Sequence, residues 1–147
     1  MNKKILPILI LIILCGWLIT ETCASQDLPN VEVSSINLNE KINTESLDNG
    51  VLLDPKDNVP TNDSIVLFGH RTQNGGPFLK LDKVKKGDNI ILNWPKLGKF
   101  NYTVTNITIM PKEADLDIDN KNSIYLITCD PIGSTENRLI VKGKLTN

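Results

Sequence analysis

Three side chains in this sequence could together perform nucleophilic acyl transfer: Cys129, His70 and Arg138. A thiolate is a strong nucleophile, an imidazole moves protons near neutral pH, and a guanidinium offers a planar fork of donors to a developing oxyanion. A guanidinium beside a thiol also favours the thiolate. The chain has one histidine, so any imidazole chemistry falls to His70. The plainer reading of a lone cysteine at a strand end is a small core hydrophobe. Composition does not by itself bring His70 near Cys129.

Each of the three is expected at the end of a strand. Ile124-Tyr125-Leu126-Ile127 is an apolar run rich in β-branched and aromatic types, which predicts a buried strand. Pro131 follows Cys129 by two residues and lacks the N–H that a ladder needs, so the strand should stop there. Gly133 and Ser134 mark a loop, and Arg138-Leu139-Ile140-Val141 starts another strand. Sequential strands commonly pair, so Cys129 and Arg138 should face each other across the mouth of one loop. His70 closes a third apolar run, Ile65-Val66-Leu67-Phe68.

Thr128-Cys129, followed after eight residues by Arg138-Leu139-Ile140-Val141, resembles the active-site segment of sortases, the cysteine transpeptidases of cell surfaces. Gly69-His70-Arg71, followed by Pro77-Phe78, Leu81 and Gly87-Asp88, resembles their histidine segment, and is especially similar to the class E-like branch. The resemblance covers roughly residues 36–145. It implies an all-β fold: a closed eight-stranded sortase-type barrel with a short helical turn after His70, preceded by one N-terminal hydrophobic helix. It implies that Cys129 attacks a peptide carbonyl and forms a thioester, that Arg138 stabilises the oxyanion, and that His70 protonates the leaving amine and deprotonates the incoming one. The implied partners are exported proteins with an L-P-x-T-G or L-A-x-T-G type C-terminal sorting signal, and an amine acceptor such as a wall peptide or pilin lysine. No cofactor is implied, although some members of the family use calcium. One stretch departs from the pattern. Where many sortases carry Pro-Gly and further glycines before the histidine strand, this chain reads Val59-Pro60-Thr61-Asn62-Asp63. That departure touches the substrate groove and leaves the three reacting positions alone.

Composition narrows the alternatives. The chain has 147 residues, enough for one domain, with 22% charged and 40% hydrophobic residues and a net charge of −1. No basic patch suggests nucleic acid as a partner. One histidine and three scattered cysteines cannot close a zinc site. Asp115, Asp117 and Asp119 have the spacing of a calcium loop but lack its glycine and its later glutamate, so a solvated acidic loop is expected. Serines are plentiful, but no G-x-S-x-G elbow is present.

The N-terminus points to export. Lys3 and Lys4 precede an almost wholly apolar stretch, residues 5–20, broken by Pro7 and Gly16. As a helix it rises about 24 Å, somewhat short of a hydrocarbon core of about 30 Å. Residues 1–24 therefore read as a cleaved signal peptide or a signal-anchor helix. Glu21 and the long apolar run favour retention, while Thr22-Cys23-Ala24 could serve as a cleavage site. Lipid attachment at Cys15 or Cys23 is disfavoured by Leu14 and Thr22, which stand where a small Gly or Ala is usual. Residues 25–30 form a polar spacer, and residues 31–147 the catalytic β-barrel domain. Every branch exports that domain, and the expected location is the cell membrane, single-pass, with the domain outside. Only Cys129 then belongs to the folded domain. An unpaired thiol outside the cell is exposed to oxidation, which favours a working role over packing.

The remaining stretches supply the barrel. Val31 to Ile36 predicts a first strand, continued loosely through Leu38 and Ile42. A short helical turn is expected within 43–49, a short apolar segment at 51–53, and a loop over 54–63. Phe78, Leu81 and Val84 have helical spacing over one or two turns. Residues 89–94 read as a strand, and 100–109 as one long strand with Phe100, Tyr102, Val104, Ile107 and Ile109 inward and one register shift, a bulge. Residues 110–122 form a loop that, by the resemblance, walls the substrate groove. The total is seven or eight short strands with turns throughout, which should close into a barrel or sandwich. Two other functions stay open: a hydrolytic cysteine endopeptidase, and a catalytically inactive, surface-tethered binding module. The intact trio argues against the second.

Overall fold

The apolar runs fall into eight strands: β1 Asn30–Val33, β2 Leu38–Asn43, β3 Val51–Leu53, β4 Ile65–Phe68, β5 Asn89–Trp94, β6 Gly98–Pro111, β7 Ser123–Asp130 and β8 Asn137–Leu145. The structure is a computed structural model that describes residues 27–56, 60–61, 63–119 and 121–146. The N-terminal helix expected within residues 1–24 lies outside the described residues. Among the described residues no helix is long and apolar enough to cross a membrane. The strands close into a barrel in the order β1-β2-β3-β4-β7-β8-β6-β5, which is the expected closed eight-stranded all-β fold. β2–β3 and β4–β7 are parallel, and the remaining neighbours are antiparallel.

Side chains alternate across a strand, so each strand has an inner and an outer set. Ile65 and Leu67 of β4, Ile124 and Leu126 of β7, and Leu139 and Val141 of β8 belong to the barrel core. The intervening Val66, Tyr125, Ile127 and Ile140 form a second buried cluster on the outer face, with Phe68, Met110, Leu116 and Ile118 packed against it. The segment between β6 and β7 covers that outer face. This is why Ile124-Tyr125-Leu126-Ile127 is apolar throughout instead of alternating: the strand is buried on both sides.

Two local expectations change. The first strand does not continue from Val33 to Ile42. A 3-10 turn at Ser34–Ile36 and a left-handed Asn37 (φ 54) reverse the chain, and Val33 pairs with Leu38 across the turn. Asparagine tolerates the left-handed region better than most residues, so neither glycine nor proline was needed to make the reversal. The expected shift in β6 lies between Val104 and Asn106. Tyr102 and Val104 are buried, Phe100 and Ile107 pack against the core, but Ile109 is 56% exposed. β5 pairs with β6 only as far as Thr103, so Ile109 has the β8 strand on one side and no β5 residue on the other.

After His70 the chain makes turns over 77–80 and a 3-10 turn at Leu81–Lys83. Phe78, Leu81 and Val84 are all buried, as their spacing suggested. Phe78 reaches its place because Gly69 has no side chain: a Cβ there would lie 2.5 Å from Phe78 Cδ2. Gly69→Ala should therefore cost about 1–3 kcal/mol by overpacking, read as a lower midpoint in urea unfolding. The cost should be smaller when Phe78→Leu is present, so the two changes should be non-additive in a double-mutant cycle.

Candidate active site

Strand alternation and register bring the three candidate residues to neighbouring strand ends. β4 and β7 pair in parallel up to Phe68↔Ile127. The Gly69 N–H then donates to the Ile127 carbonyl at 3.2 Å, and the Thr128 hydroxyl donates to the Gly69 carbonyl at 2.7 Å. One further step along both strands sets His70 alongside Cys129. Cys129 is the register partner of Arg138 across the antiparallel β7–β8 ladder. His70 follows Val66 and Phe68 in parity, Cys129 follows Tyr125 and Ile127, and Arg138 precedes Ile140. All three parities are those of the outer cluster. Cys129 and Arg138 are thus direct neighbours across β7 and β8, and His70 follows the last β4–β7 pair, Phe68↔Ile127, by as many residues as Cys129 does.

Each side chain is held locally. Cys129 is a free, half-buried thiol. Arg138 Nη1 donates to the Thr135 and Asn137 carbonyls, both at 3.1 Å, so the loop that starts with Pro131 anchors the guanidinium. His70 Nε2 lies 3.2 Å from Asp48 Oδ1. Asp48 sits on the 3-10 turn Leu47–Asn49, which the Ser46 hydroxyl caps by accepting from the Asp48 N–H.

An apolar groove of about 250 Å³ opens on the same face, and of the three candidate residues Arg138 alone lines it. Phe68, Ile127 and Ile140 form its floor, Leu116 and Ile118 its wall, and Arg138 stands at its end. The wall is pinned through Asp119. Its N–H donates to the Tyr125 hydroxyl at 2.9 Å, and its carboxylate meets Lys142 at 2.7 Å and Lys144 at 3.6 Å. Lys142 also lies 5.5 Å from the Tyr125 ring centroid, within cation–π range. The Lys142 hydrogen bond holds the Asp119 carboxyl below its ordinary 3.8, and the same bond raises Lys142 above 10.5. A second link joins the two loops that flank the site: the Lys112 N–H donates to the Glu136 carbonyl at 3.0 Å. A larger hollow, about 320 Å³ between Asn30, Trp94 and Lys99, contains none of the three candidate residues. Among the described residues no cluster of His, Cys, Asp and Glu could hold a metal ion, and Asp119 of the acidic loop is engaged by lysines.

One residue at this end of the barrel was given no role from the sequence. Arg71 is 5% exposed, although it directly follows the half-exposed His70. Its guanidinium is paired with Asp130 at 2.8 Å and Asp82 at 3.4 Å. Burial works against the Asp82 charge, but the Lys83 hydrogen bond and the Arg71 and Lys83 charges outweigh it, and the carboxyl titrates below 3.8. The only hint in the sequence was parity: if His70 faces outward, the next residue turns away, and a cation there needs carboxylate partners.

A closed barrel with a thiol, an imidazole and a guanidinium at neighbouring strand ends points to a class of cysteine acyl-transfer proteins. The sortase domain family model matches residues 27–146, and the chain belongs to the sortase family, whose members are cysteine transpeptidases. It is 38% identical over 81 residues to the sortase homologue YwpE of Bacillus subtilis (strain 168), a match covering 53% of this chain and 78% of that protein. Sortase A of Listeria monocytogenes has a similar structure, with a TM-score of 0.71 at 30% identity over 82% of this chain and 87% of that one. Sortase C1 of GBS pilus island 1 superposes with the same TM-score at 28% identity, over 81% of this chain and 64% of that longer one.

The ionic links predict the response to pH. Asp82 and Asp119 titrate below 3.8, so the stability each contributes is complete above the unfolded value and is lost as pH falls through the lowered one. Lys142 titrates above 10.5, so its contribution is complete below that value and is lost as pH rises through the raised one. Thermal midpoints should therefore fall below about pH 4. Asp119→Asn should flatten part of that acid limb in differential scanning calorimetry.

Proposed function

We propose that this chain is a surface transpeptidase of the sortase type. It cuts an exported protein at an L-P-x-T-G or L-A-x-T-G type C-terminal signal and joins the new carboxyl end to an amine. The observation that carries this reading is that Cys129 and Arg138 pair across β7 and β8, that His70 follows the end of the adjoining β4, and that Arg138 lines an apolar groove on the same face. The groove floor of Phe68, Ile127 and Ile140 suits the leucine side chain of such a signal, and leads its backbone toward Cys129. The segment from Gly69 to Asp88 speaks for a class E-like member.

The reaction closes in two halves. The Cys129 thiolate adds to the scissile carbonyl carbon, and the oxyanion forms within reach of the Arg138 guanidinium. The imidazolium of His70 gives its proton to the departing nitrogen, the C–N bond breaks, and a thioester remains. The incoming amine then adds to the thioester carbonyl and passes a proton to His70. The C–S bond breaks, leaving the new amide, the Cys129 thiolate and the His70 imidazolium. Asp48 Oδ1, 3.2 Å from His70 Nε2, orients the imidazole ring. Residues 1–24 tether the barrel to the membrane with the site outside, where both the signal and the acceptor are found. Hydrolysis is the second reading. It is favoured by the openness of the site, since 39% of the His70 side chain meets solvent and water could replace the amine.

The test is the full chain in detergent micelles, incubated with L-P-x-T-G and L-A-x-T-G peptides, with and without an amine acceptor, and read by mass spectrometry. A ligated product should form and vanish in Cys129→Ala. His70→Ala and Arg138→Ala should each lower kcat by about 100-fold or more. Cleavage without ligation would select hydrolysis. No acyl-enzyme, no cleavage and no reactive thiol would overturn the enzyme reading in favour of a binding module.

A further inference from the structure

We propose that Arg71 is a positioning residue that holds the Cys129 main chain against the His70 segment. The inference rests on the reading that Cys129 and His70 react together. The β4–β7 ladder reaches Phe68↔Ile127, and its last ties are the Gly69 N–H to Ile127 and the Thr128 hydroxyl to Gly69. His70 and Cys129 lie one step beyond those ties. At that step a side chain takes over from the backbone. Arg71 Nη1 donates to the carbonyl of Cys129 itself at 3.3 Å and to Asp130 Oδ1 at 2.8 Å. Its Nε donates to the Leu79 carbonyl at 3.4 Å, and its Nη2 lies 3.4 Å from Asp82 Oδ1. The Phe78 N–H closes the same turn on the His70 carbonyl at 3.1 Å.

One guanidinium therefore joins three pieces of chain: the His70 segment that carries it, the nucleophile's own peptide unit, and the turn at 79–82. Burying a charge for stability alone is a poor use of it, because desolvation offsets much of the pairing. What a planar fork supplies is direction. It fixes the Cys129 carbonyl, hence the Cα–Cβ bond, hence the arc on which Sγ can sit. A displacement of about 1 Å in a reacting atom can cost on the order of 100-fold in rate. Lysine cannot substitute, since one ammonium nitrogen cannot reach two carbonyls and two carboxylates set around a fork.

The test compares the full wild-type chain in micelles with Arg71→Lys and Asp130→Asn, the second being nearly isosteric. Peptide kcat and KM are measured together with the thermal midpoint and the rate at which iodoacetamide alkylates Cys129. The expected result for both variants is a KM within about 2-fold of wild type and a lower kcat, by about 30-fold for Arg71→Lys and less for Asp130→Asn. Alkylation should change at least 3-fold, at temperatures well below either midpoint. Wild-type kcat and alkylation rates in a folded Arg71→Lys would overturn the proposal, as would a kcat loss that only tracks the unfolded fraction. If Arg71→Lys does not fold, Asp130→Asn decides by the same criteria. A wild-type chain that forms no acyl-enzyme would count against the transpeptidase reading instead, and the alkylation comparison would still decide for or against Arg71.

Discussion

The candidate site depends on the register of three neighbouring strands. A side chain's face is set by a period of two, so a slip of one residue in β4, β7 or β8 would turn His70, Cys129 or Arg138 into the barrel. That register is held from the opposite side. Ile65, Leu67, Ile124, Leu126, Leu139 and Val141 fill the interior, and none of them can exchange places with Val66, Tyr125 or Ile140 without changing both clusters at once. The core thus decides where the chemistry faces. The three residues need no place in the interior themselves, because each adjoins or closely follows strand residues that the interior has already oriented.

The outer face shows why the segment between β6 and β7 is more than a connection. Its described residues form no strand, yet the sheet beneath it is apolar and needs cover. Leu116 and Ile118 supply that cover over Phe68, Ile127 and Ile140. Asp119 then fixes the wall's end to Tyr125, Lys142 and Lys144. The Asp119 carboxylate is 42% exposed, and surface ion pairs are screened by salt and weak one at a time. A wall held by a few apolar contacts and an exposed ionic latch belongs to the low-stability end of the molecule, which suits a surface that a peptide must enter.

Strand ends were the most legible feature of the sequence. Pro131 after Cys129, the loop at Gly133 and the apolar runs before His70 and Cys129 all carry local signals, and the bulge in β6 announced itself as a change of phase. The reversal between β1 and β2 did not, because Asn37 makes the turn without glycine or proline. The parallel pairing of β4 with β7 was also unreadable from the residues alone. It joins segments 59 positions apart, Ile65 with Ile124, and nothing local in either encodes the partner. The family resemblance supplied the closed eight-stranded barrel but not that pairing. Arg71 was missed for a related reason: its partners Asp82 and Asp130 come from two other segments, and a buried ion pair is invisible until both are placed.

The two arginines near Cys129 make opposite uses of one functional group. The hydrogen bonds of Arg138 go to neutral carbonyls, those of Thr135 and Asn137, which orient the guanidinium without cancelling its charge. The charge of Arg71 is met by two carboxylates, Asp82 and Asp130, within 3.4 Å. A charge so compensated has little field left to act on a substrate, but its geometry is rigid. An arginine held only by carbonyls keeps its field and points it where the loop directs. The location follows the same division: Arg138 lines the open groove, while Arg71 is buried behind the strand end. Exchanging the two environments would spoil both uses. Carboxylates beside Arg138 would compete with an oxyanion for its donors, and removing them from Arg71 would leave a cation in the protein interior with only carbonyl dipoles to replace water.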